Sequence, residues 1–185
     1  MKFLRNIIVL YPFQFGGTSK ITPMSDYPPV AQVLTKLGIQ FQIFRHSGPV
    51  NSLEQAARER NQLPDQVVRS ILFRMAEDNY FMVLIAGPEQ ISWPNLRAYL
   101  GKSRISLASE DEVLANTGYR VGAVSPFGLP RPMRILVDEN IFNHAEISIG
   151  SGVRGVAIIL KSLDLRSTLG NIEIGKFANT KAPNS

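Results

Sequence analysis

The most distinctive stretch of the sequence is Gly118-Tyr-Arg-Val-Gly-Ala-Val-Ser-Pro-Phe-Gly128. Its three glycines and its Ser-Pro pair exclude a regular helix and make a poor central strand. Such a loop exposes consecutive backbone N–H groups and lets a ligand approach the main chain closely. Ser125 adds a hydroxyl, and Tyr119 and Phe127 could form the wall of a pocket. A wide turn between two strands is the alternative interpretation of the same residues.

Helix and strand signals lie on both sides of this loop. Pro28 and Pro29 suit the first turn of a helix, and Gly38 suits its left-handed end. Capping boxes begin two further helices, at Ser52 and at Ser109. In chain order, the predicted elements are a helix over 28–37, a strand over 39–44, a helix over 52–60, strands over 67–75 and 80–86, helices over 92–100 and 109–118, strands over 134–137, 146–149 and 156–160, and a short helix over 162–166. The short segment Glu77-Asp-Asn79 between the strands over 67–75 and 80–86 predicts that these two strands form a hairpin.

The order of these elements predicts the fold class. Helices are spread over the first two thirds of the chain, and strands cluster in the last third without long crossovers. This is an α+β pattern, and it predicts a single domain with a mixed, largely antiparallel sheet that curls into a barrel between flanking helices. The glycines of Gly150-Ser-Gly-Val-Arg-Gly155 match the spacing of a dinucleotide-binding fingerprint, but they precede a strand instead of opening a helix. We therefore discount a Rossmann fold.

The ends of the chain lack the patterns of the middle. We predict an N-terminal extension over 1–26, a folded domain over 27–166 and a C-terminal tail over 167–185. Met24 is a candidate native start, because organised sequence follows it directly. The first residues combine a basic residue with a short apolar run, as a signal peptide does, but no cleavage site follows cleanly. No apolar stretch reaches the roughly 18–20 residues that span a bilayer. We expect a cytoplasmic protein without a membrane partner.

Composition excludes several kinds of chemistry. The chain has no cysteine, so disulfides, thiolate zinc sites and a cysteine nucleophile are excluded. Its two histidines, His46 and His144, are too few for a three-histidine metal site. The net charge is +5, yet residues 27–165 hold 14 basic and 13 acidic residues, so the excess lies mostly in the ends. A duplex binder usually carries its basic patch in the folded body, so we expect no DNA partner.

The Gly118–Gly128 stretch closely resembles the Gly-Tyr-x-x-Gly-x-x-Ser-Pro-x-Gly motif of the YbaK/prolyl-tRNA-synthetase-associated editing domains. The resemblance covers about residues 27–166. Other segments are similar to that family in the same order: His46, Gln66-Val-Val-Arg-Ser-Ile-Leu-Phe73, Ile135-Leu-Val-Asp138, Ser151-Gly-Val-Arg-Gly155 and Leu163-Asp-Leu165. Only the glycine-rich motif is specific by itself, and the other segments gain weight from their order.

The resemblance implies a trans-acting aminoacyl-tRNA deacylase, which hydrolyses the ester of a mischarged tRNA in a partly closed pocket without a metal or cofactor. Its partners would be the 3′ end of aminoacyl-tRNA and an aminoacyl-tRNA synthetase. The catalytic residues implied are Arg69, Gly122, Ser125 and Gly128. The substrate-binding residues implied are His46, Ser70, Tyr119, Phe127, Gly152 and Arg154.

One position departs from the family pattern. Arg69 stands where these domains usually carry a lysine needed for full activity. Lysine can lose its proton when buried, whereas arginine, with a pKa above about 12, cannot serve as a general base. Its fork of donors can still hold a carbonyl, a ribose hydroxyl or a phosphate. A surface arginine on an edge strand is the alternative.

Other residues carry weaker signals. His46 is either a partly exposed structural histidine or a substrate contact. Asp138 is better placed to cap the turn after it than to act in acid–base chemistry, and Trp93 is better suited to packing than to base stacking. Two other functions stay open: a non-catalytic relative that binds aminoacyl-tRNA ends or a synthetase, and a barrel that binds a small nucleotide-like ligand.

Overall fold

The computed structural model describes residues 9–10, 26–76 and 78–179. Most of the predicted N-terminal extension, including Met24, lies outside the described residues. Within that extension, strand β1 (Val9–Leu10) pairs antiparallel with strand β2 (Phe41–Arg45). No helix in the described part of the chain is both long and apolar enough to cross a bilayer.

Five α-helices are present in the described ranges, and local signals set their ends. The Oγ of Ser52 accepts from the amide of Gln55, and Ser109 and Glu112 form a reciprocal capping box. Gly118 ends the latter helix in the left-handed conformation, at φ 75°. The helices are α1 (Pro29–Lys36), α2 (Leu53–Glu59), α3 (Trp93–Leu100), α4 (Glu110–Thr117) and α5 (Ser162–Thr168).

The strands form two sheets. One has the order β1-β2-β8-β7 and is antiparallel throughout, and the other has the order β5-β3-β4-β6-β9 and is mixed. The predicted hairpin is present, because β3 pairs antiparallel with β4. The remaining bounds are β3 (Val68–Ala76), β4 (Asn79–Ala86), β5 (Ser106–Leu107), β6 (Arg134–Asp138), β7 (Glu146–Gly150), β8 (Val156–Lys161) and β9 (Ile172–Gly175).

The α+β class is confirmed, but the prediction of one sheet curled into a barrel is wrong. The strands divide into two sheets, and neither sheet closes on itself. Among the described residues, an isolated parallel bridge between Val67 and Ser148 links the start of β3 to β7. Beyond that bridge β3 and β7 separate, so their backbone groups do not form a continuous ladder.

Two apolar clusters stabilise this arrangement. The larger lies between the sheets and combines residues of both with α1, for example Leu34, Leu84 and Ile158. The second packs α3 onto the other face of the five-stranded sheet around Phe73 and Leu96. Trp93 belongs to the edge of this cluster and contacts the Phe73 ring edge-on, as a packing residue does.

The segment predicted as a C-terminal tail over 167–185 contains a strand. Strand β9 extends the mixed sheet parallel to β6, and Phe177 is buried in the second cluster. The fully buried Asp138 holds this segment: its Oδ2 accepts from the amides of Phe177 at 2.7 Å and Ala178 at 2.8 Å. Its Oδ1 accepts from the amide of Asn140, as the turn cap predicted for it requires. Asp138 is therefore a structural carboxylate.

Candidate active site

A two-lobed cleft opens where β3 and β7 separate. The inner lobe, about 320 Å³, lies between the start of β3, the strands β7 and β8, and the Gly118–Gly128 stretch, which we call the glycine-rich loop. The outer lobe, about 690 Å³, extends from there toward the start of α2. Both lobes are lined by the same five residues, which we call the neck: Arg60, Val67, Arg69, Gly122 and Val156.

The edge of β3 explains the position of the inner lobe. Alternate residues of an antiparallel strand direct both backbone groups toward the same neighbour. The amide of Gly87, which follows β4, donates to the carbonyl of Val67, whereas the amide of Ala108 donates to the carbonyl of Leu72 from the opposite edge. The same alternation turns the N–H and C=O of Ser70 away from β4, toward the lobe that Ser70 lines. This edge supplies main-chain donors and acceptors to the cleft.

Arg69 lies in the neck at the start of β3. Its guanidinium donates to the carbonyl oxygen of Glu89, while its Nε is buried without a hydrogen-bond partner among the described residues. Burial lowers the pKa of Arg69, and the nearby charge of Glu89 opposes that shift. The side chain is thus a partly desolvated cation, one of whose donors faces no protein acceptor in the described part of the chain.

Arg60 is a second cation in the neck, and sequence reasoning missed it. Its NH1 donates to Ser148 Oγ at 2.7 Å, and its Nε and NH2 lie 3.3 and 3.1 Å from Nε2 of His46. Burial lowers the pKa of Arg60 to about 10, against the effect of Glu59, so it stays protonated at neutral pH. No local pattern could have identified it, because its partners lie 14 and 88 positions away in the chain.

His46 lines the outer lobe, but both of its ring nitrogens are engaged. Nδ1 lies 2.5 Å from Oε2 of Glu59, and Nε2 faces the guanidinium of Arg60. Since the guanidinium can only donate, Nε2 is the acceptor and Nδ1 carries the proton. The hydrogen bond from His46 is the main cause that lowers the pKa of Glu59. His46 thereby connects a carboxylate to the neck.

The glycine-rich loop contributes its first half to the cleft and its second half to the interior. Gly122, at φ 87°, lies in the neck. Ser125 is fully buried, and its Oγ accepts from the amide of Phe127, which is itself buried. Gly128 packs against Tyr119, so that an added Cβ would lie 2.5 Å from the tyrosine hydroxyl oxygen. Neither lobe of the cleft is lined by Ser125, Phe127 or Gly128.

Tyr119 fastens the two halves of the loop together. Its ring is buried, and its hydroxyl donates to the carbonyl oxygen of Phe127 at 2.8 Å. Gly152 passes close over the same ring, since a Cβ added at this glycine would lie 2.8 Å from Cε1 of Tyr119. Arg154, by contrast, lines the outer lobe, and its Nε donates to the carbonyl oxygen of Val121.

The structure therefore divides the ten residues predicted for the site into two groups. One group lines the cleft: Arg69, Gly122, His46, Ser70 and Arg154. The other group lies behind it and shapes the loop: Ser125, Gly128, Tyr119, Phe127 and Gly152. Among the described residues that line either lobe there are three arginines and no carboxylate. Such a cleft can bind an anionic group and stabilise negative charge that develops on an oxygen.

Comparison with known proteins gives the family of the chain. The sequence profile of the aminoacyl-tRNA editing domain matches residues 47–168, which is more than half of the chain. The chain belongs to this family. The match confirms the predicted resemblance. It includes β3, the glycine-rich loop and the Gly150–Gly155 segment of this editing domain, and His46 lies directly before its first residue.

The curated relatives are much longer proteins. The editing domain is 31% identical over 105 residues to a proline–tRNA ligase of Brachyspira hyodysenteriae, covering 57% of this chain and 18% of the ligase. It is 28% identical over 130 residues to a proline–tRNA ligase of Streptococcus thermophilus, covering 70% of this chain and 20% of that ligase. The chain thus spans about a fifth of the length of these relatives.

Solved structures share the fold. A hypothetical protein superposes with a TM-score of 0.73 at 19% identity, covering 82% of this chain and 99% of its own. A protein described as a candidate trans-editing enzyme for prolyl tRNA synthetase superposes with a TM-score of 0.74 at 18% identity, covering 87% of this chain and 100% of its own. At this level of identity the likeness extends to the fold alone.

Proposed function

We propose that this protein is a trans-acting aminoacyl-tRNA deacylase, which hydrolyses the ester between a mischarged amino acid and its tRNA in the cytoplasm. The observation that carries the proposal is the neck of the cleft in an aminoacyl-tRNA editing domain, which both Arg69 and Gly122 line. These two residues come from segments about fifty positions apart, both of which resemble parts of one editing site.

The two lobes suit the two ends of such a substrate. The inner lobe is the smaller, and it takes the aminoacyl group. The outer lobe is larger and carries Arg154 on its wall, and it takes the terminal nucleotide of the tRNA. The ester then lies in the neck, within reach of the Arg69 guanidinium.

The chemistry follows from the groups that face the neck. Water attacks the ester carbonyl, and the main-chain N–H groups of Gly122 and Ser70, together with Arg69, stabilise the oxyanion that develops. The bond from the carbonyl carbon to the ribose oxygen then breaks, and the ribose oxygen takes up the proton that the water loses, which releases the free amino acid and the tRNA. The amides of Ala123 and Phe127 already donate within the loop, so they do not act as donors to the substrate. One preorganised donor contributes about 3–4 kcal/mol to such a transition state. With no carboxylate among the described residues of the walls and both nitrogens of His46 engaged, the substrate's own functional groups assist the attacking water.

The arginine at position 69 fits an electrostatic role. A guanidinium stays charged when partly buried and offers a fork of donors, so it can hold the ester carbonyl or a ribose hydroxyl in place. It preserves the positive charge of the lysine that the family resemblance implies, but not a proton-transfer role. A synthetase partner is proposed on the same family grounds, given that the relatives are proline–tRNA ligases.

A second candidate function is a non-catalytic protein that binds aminoacyl-tRNA ends. The observation that favours it is the same absence of a free general base among the described residues of the cleft wall. The two functions differ in turnover, so hydrolysis distinguishes them.

The test is a deacylation assay with a panel of mischarged tRNAs, with the correctly charged tRNAs and the spontaneous hydrolysis rate as references. We expect hydrolysis of at least one mischarged tRNA well above the spontaneous rate. Gly122→Ala should abolish most of this activity, because it adds a methyl group to a residue that lines both lobes of the cleft. Gly118→Ala is the matched control: Gly118 has a similar φ, 75° against 87°, and likewise no atom within 4 Å of an added Cβ, but it lies outside the cleft.

Two results would contradict the proposal. If every tRNA in the panel decays at the spontaneous rate, the protein is not a deacylase. If Gly122→Ala and Gly118→Ala lose the same activity, the loss reflects backbone strain, and the neck is not the site of hydrolysis.

A further inference from the structure

Arg60 has a partly buried charge whose direct partners are neutral. Two of its nitrogens face the imidazole of His46, and a third bonds the hydroxyl of Ser148. None of the ion pairs found among the described residues includes Arg60. Its neighbour Glu59 directs its carboxylate to His46 instead, at 2.5 Å. The compensating negative charge is therefore one side chain removed from the guanidinium.

Such an arrangement lowers the stability of the folded protein unless an anion binds at the site. Partial burial of a charge without a directly paired opposite charge opposes folding, and a ligand anion in hydrogen-bonding contact offsets this cost. An arginine side chain has five N–H donors on three nitrogens. In Arg60 each of the three nitrogens faces one partner atom, so not all of the five donors are engaged. Donors therefore remain on a side chain that lines both lobes of the cleft.

Arg69 lies in the same neck with a buried Nε that has no partner among the described residues. Two forks of donors thus border one passage whose described walls contain no carboxylate. Planar guanidinium groups match the oxygens of phosphate with paired hydrogen bonds. We propose that Arg60 and Arg69 form a phosphate-binding pair, with Arg60 as a binding residue that the family resemblance did not indicate. Among the described residues the Arg69 guanidinium donates only to the carbonyl oxygen of Glu89, so different N–H groups of Arg69 contact the phosphate and the ester carbonyl.

The His46–Glu59 unit gives Arg60 its orientation. The proton on Nδ1 of His46 is held by Glu59, so Nε2 presents its lone pair to the guanidinium. The imidazole is almost fully buried, with 2% of its side chain exposed, and it contacts the Phe44 ring edge-on. His46 and Glu59 are positioning residues: they fix the fork of Arg60 and do not touch the phosphate.

The source of the phosphate is the phosphodiester next to the 3′-terminal nucleotide of an RNA. This part of the inference rests on the proposed function, because the outer lobe is assigned there to the terminal nucleotide. A free nucleoside monophosphate carries the same chemistry. The two sources are distinguished by comparing the binding of adenosine 5′-monophosphate with the binding of the trinucleotide CCA.

The first experiment measures binding of adenosine and of adenosine 5′-monophosphate by calorimetry. We expect the wild type to bind the monophosphate at least about tenfold more tightly than adenosine. Arg60→Gln should reduce that preference by about tenfold, measured as the ratio of the two affinities within the same variant. The matched control is Arg58→Gln, which removes the same charge two residues earlier, from the last turn of α2, at a position outside both lobes.

The salt dependence of trinucleotide binding is a second readout. A contact with one phosphate of a single strand contributes about 0.7 to the slope of log affinity against log salt, so Arg60→Gln should reduce the slope by about that amount. Arg60→Lys should recover part of the affinity, because it keeps the charge but loses the fork. Thermal melting of each variant establishes that it is folded.

The inference is overturned if the wild type binds adenosine and its monophosphate equally, which requires no variant. It is also overturned if Arg58→Gln weakens binding as much as Arg60→Gln, since the effect is then one of net charge. If the protein binds the monophosphate through Arg60 but neither binds the trinucleotide nor deacylates tRNA, the phosphate-binding pair is supported and the proposed function is wrong. If Arg60→Gln leaves both deacylation and trinucleotide binding unchanged, the proposed function is supported and the phosphate-binding pair is wrong.

Discussion

Asp138 and the neck arginines are both charged groups inside the fold, but their surroundings differ. The carboxylate of Asp138 is fully buried and accepts hydrogen bonds from three backbone amides. Arg60 and Arg69 are partly exposed to the cleft, bond neutral acceptors, and retain donors without partners among the described residues. A fully satisfied buried charge stabilises the fold, whereas a partly satisfied one beside a cleft is available to a ligand.

Removal of the Asp138 carboxylate is expected to have the largest effect on stability. Asp138→Ala leaves three backbone amides without their acceptor and releases the segment that carries Phe177, so it should lower the free energy of unfolding by about 3–5 kcal/mol. Urea denaturation measures this. The matched control is Glu139→Ala, which removes an exposed carboxylate 3.7 Å from Lys176 and should cost less than about 1 kcal/mol. If both variants lower the free energy of unfolding equally, the buried carboxylate of Asp138 contributes no more to stability than an exposed one.

A smaller effect is expected in the part of the glycine-rich loop that lies behind the cleft. Gly128→Ala places a Cβ against the hydroxyl of Tyr119 and requires a left-handed backbone at φ 73°, so it should cost about 2–4 kcal/mol. Gly118→Ala has the same backbone cost without the contact and should cost about 1–2 kcal/mol. The difference isolates the packing of Gly128 on Tyr119. If Gly128→Ala and Gly118→Ala lower the free energy of unfolding equally, the contact between Gly128 and Tyr119 does not stabilise the loop.

Sequence patterns predicted the elements that depend on neighbouring residues. The capping box of Ser109 and Glu112 and the hairpin of β3 and β4 were predicted because each signal lies within a few residues. The shape of the sheets was not, because the separation of β3 from β7 depends on how distant strands pack. Strand β9 was missed for a similar reason: its parallel partner β6 lies more than thirty positions earlier and leaves no local signal.

The candidate site was also predicted only in part. The motif and its order indicated the region, and Arg69 and Gly122 do line one neck. Ser125, Phe127 and Gly128 lie behind the cleft instead, because a motif gives the identity of residues but not the direction in which each faces. Arg60 was missed since its role depends on contacts with His46 and Ser148 that only the fold creates.

The most direct measurement compares unfolding and single-turnover deacylation for wild type, Arg69→Ala and Arg69→Lys. We expect Arg69→Ala to slow deacylation by about tenfold to a thousandfold, roughly 1.4–4 kcal/mol of transition-state stabilisation. The same change should alter the free energy of unfolding by less than about 1 kcal/mol, and Arg69→Lys should retain or raise activity. An electrostatic role for Arg69 in the neck is contradicted if both substitutions leave deacylation unchanged, or if Arg69→Ala destabilises the fold as strongly as Asp138→Ala does.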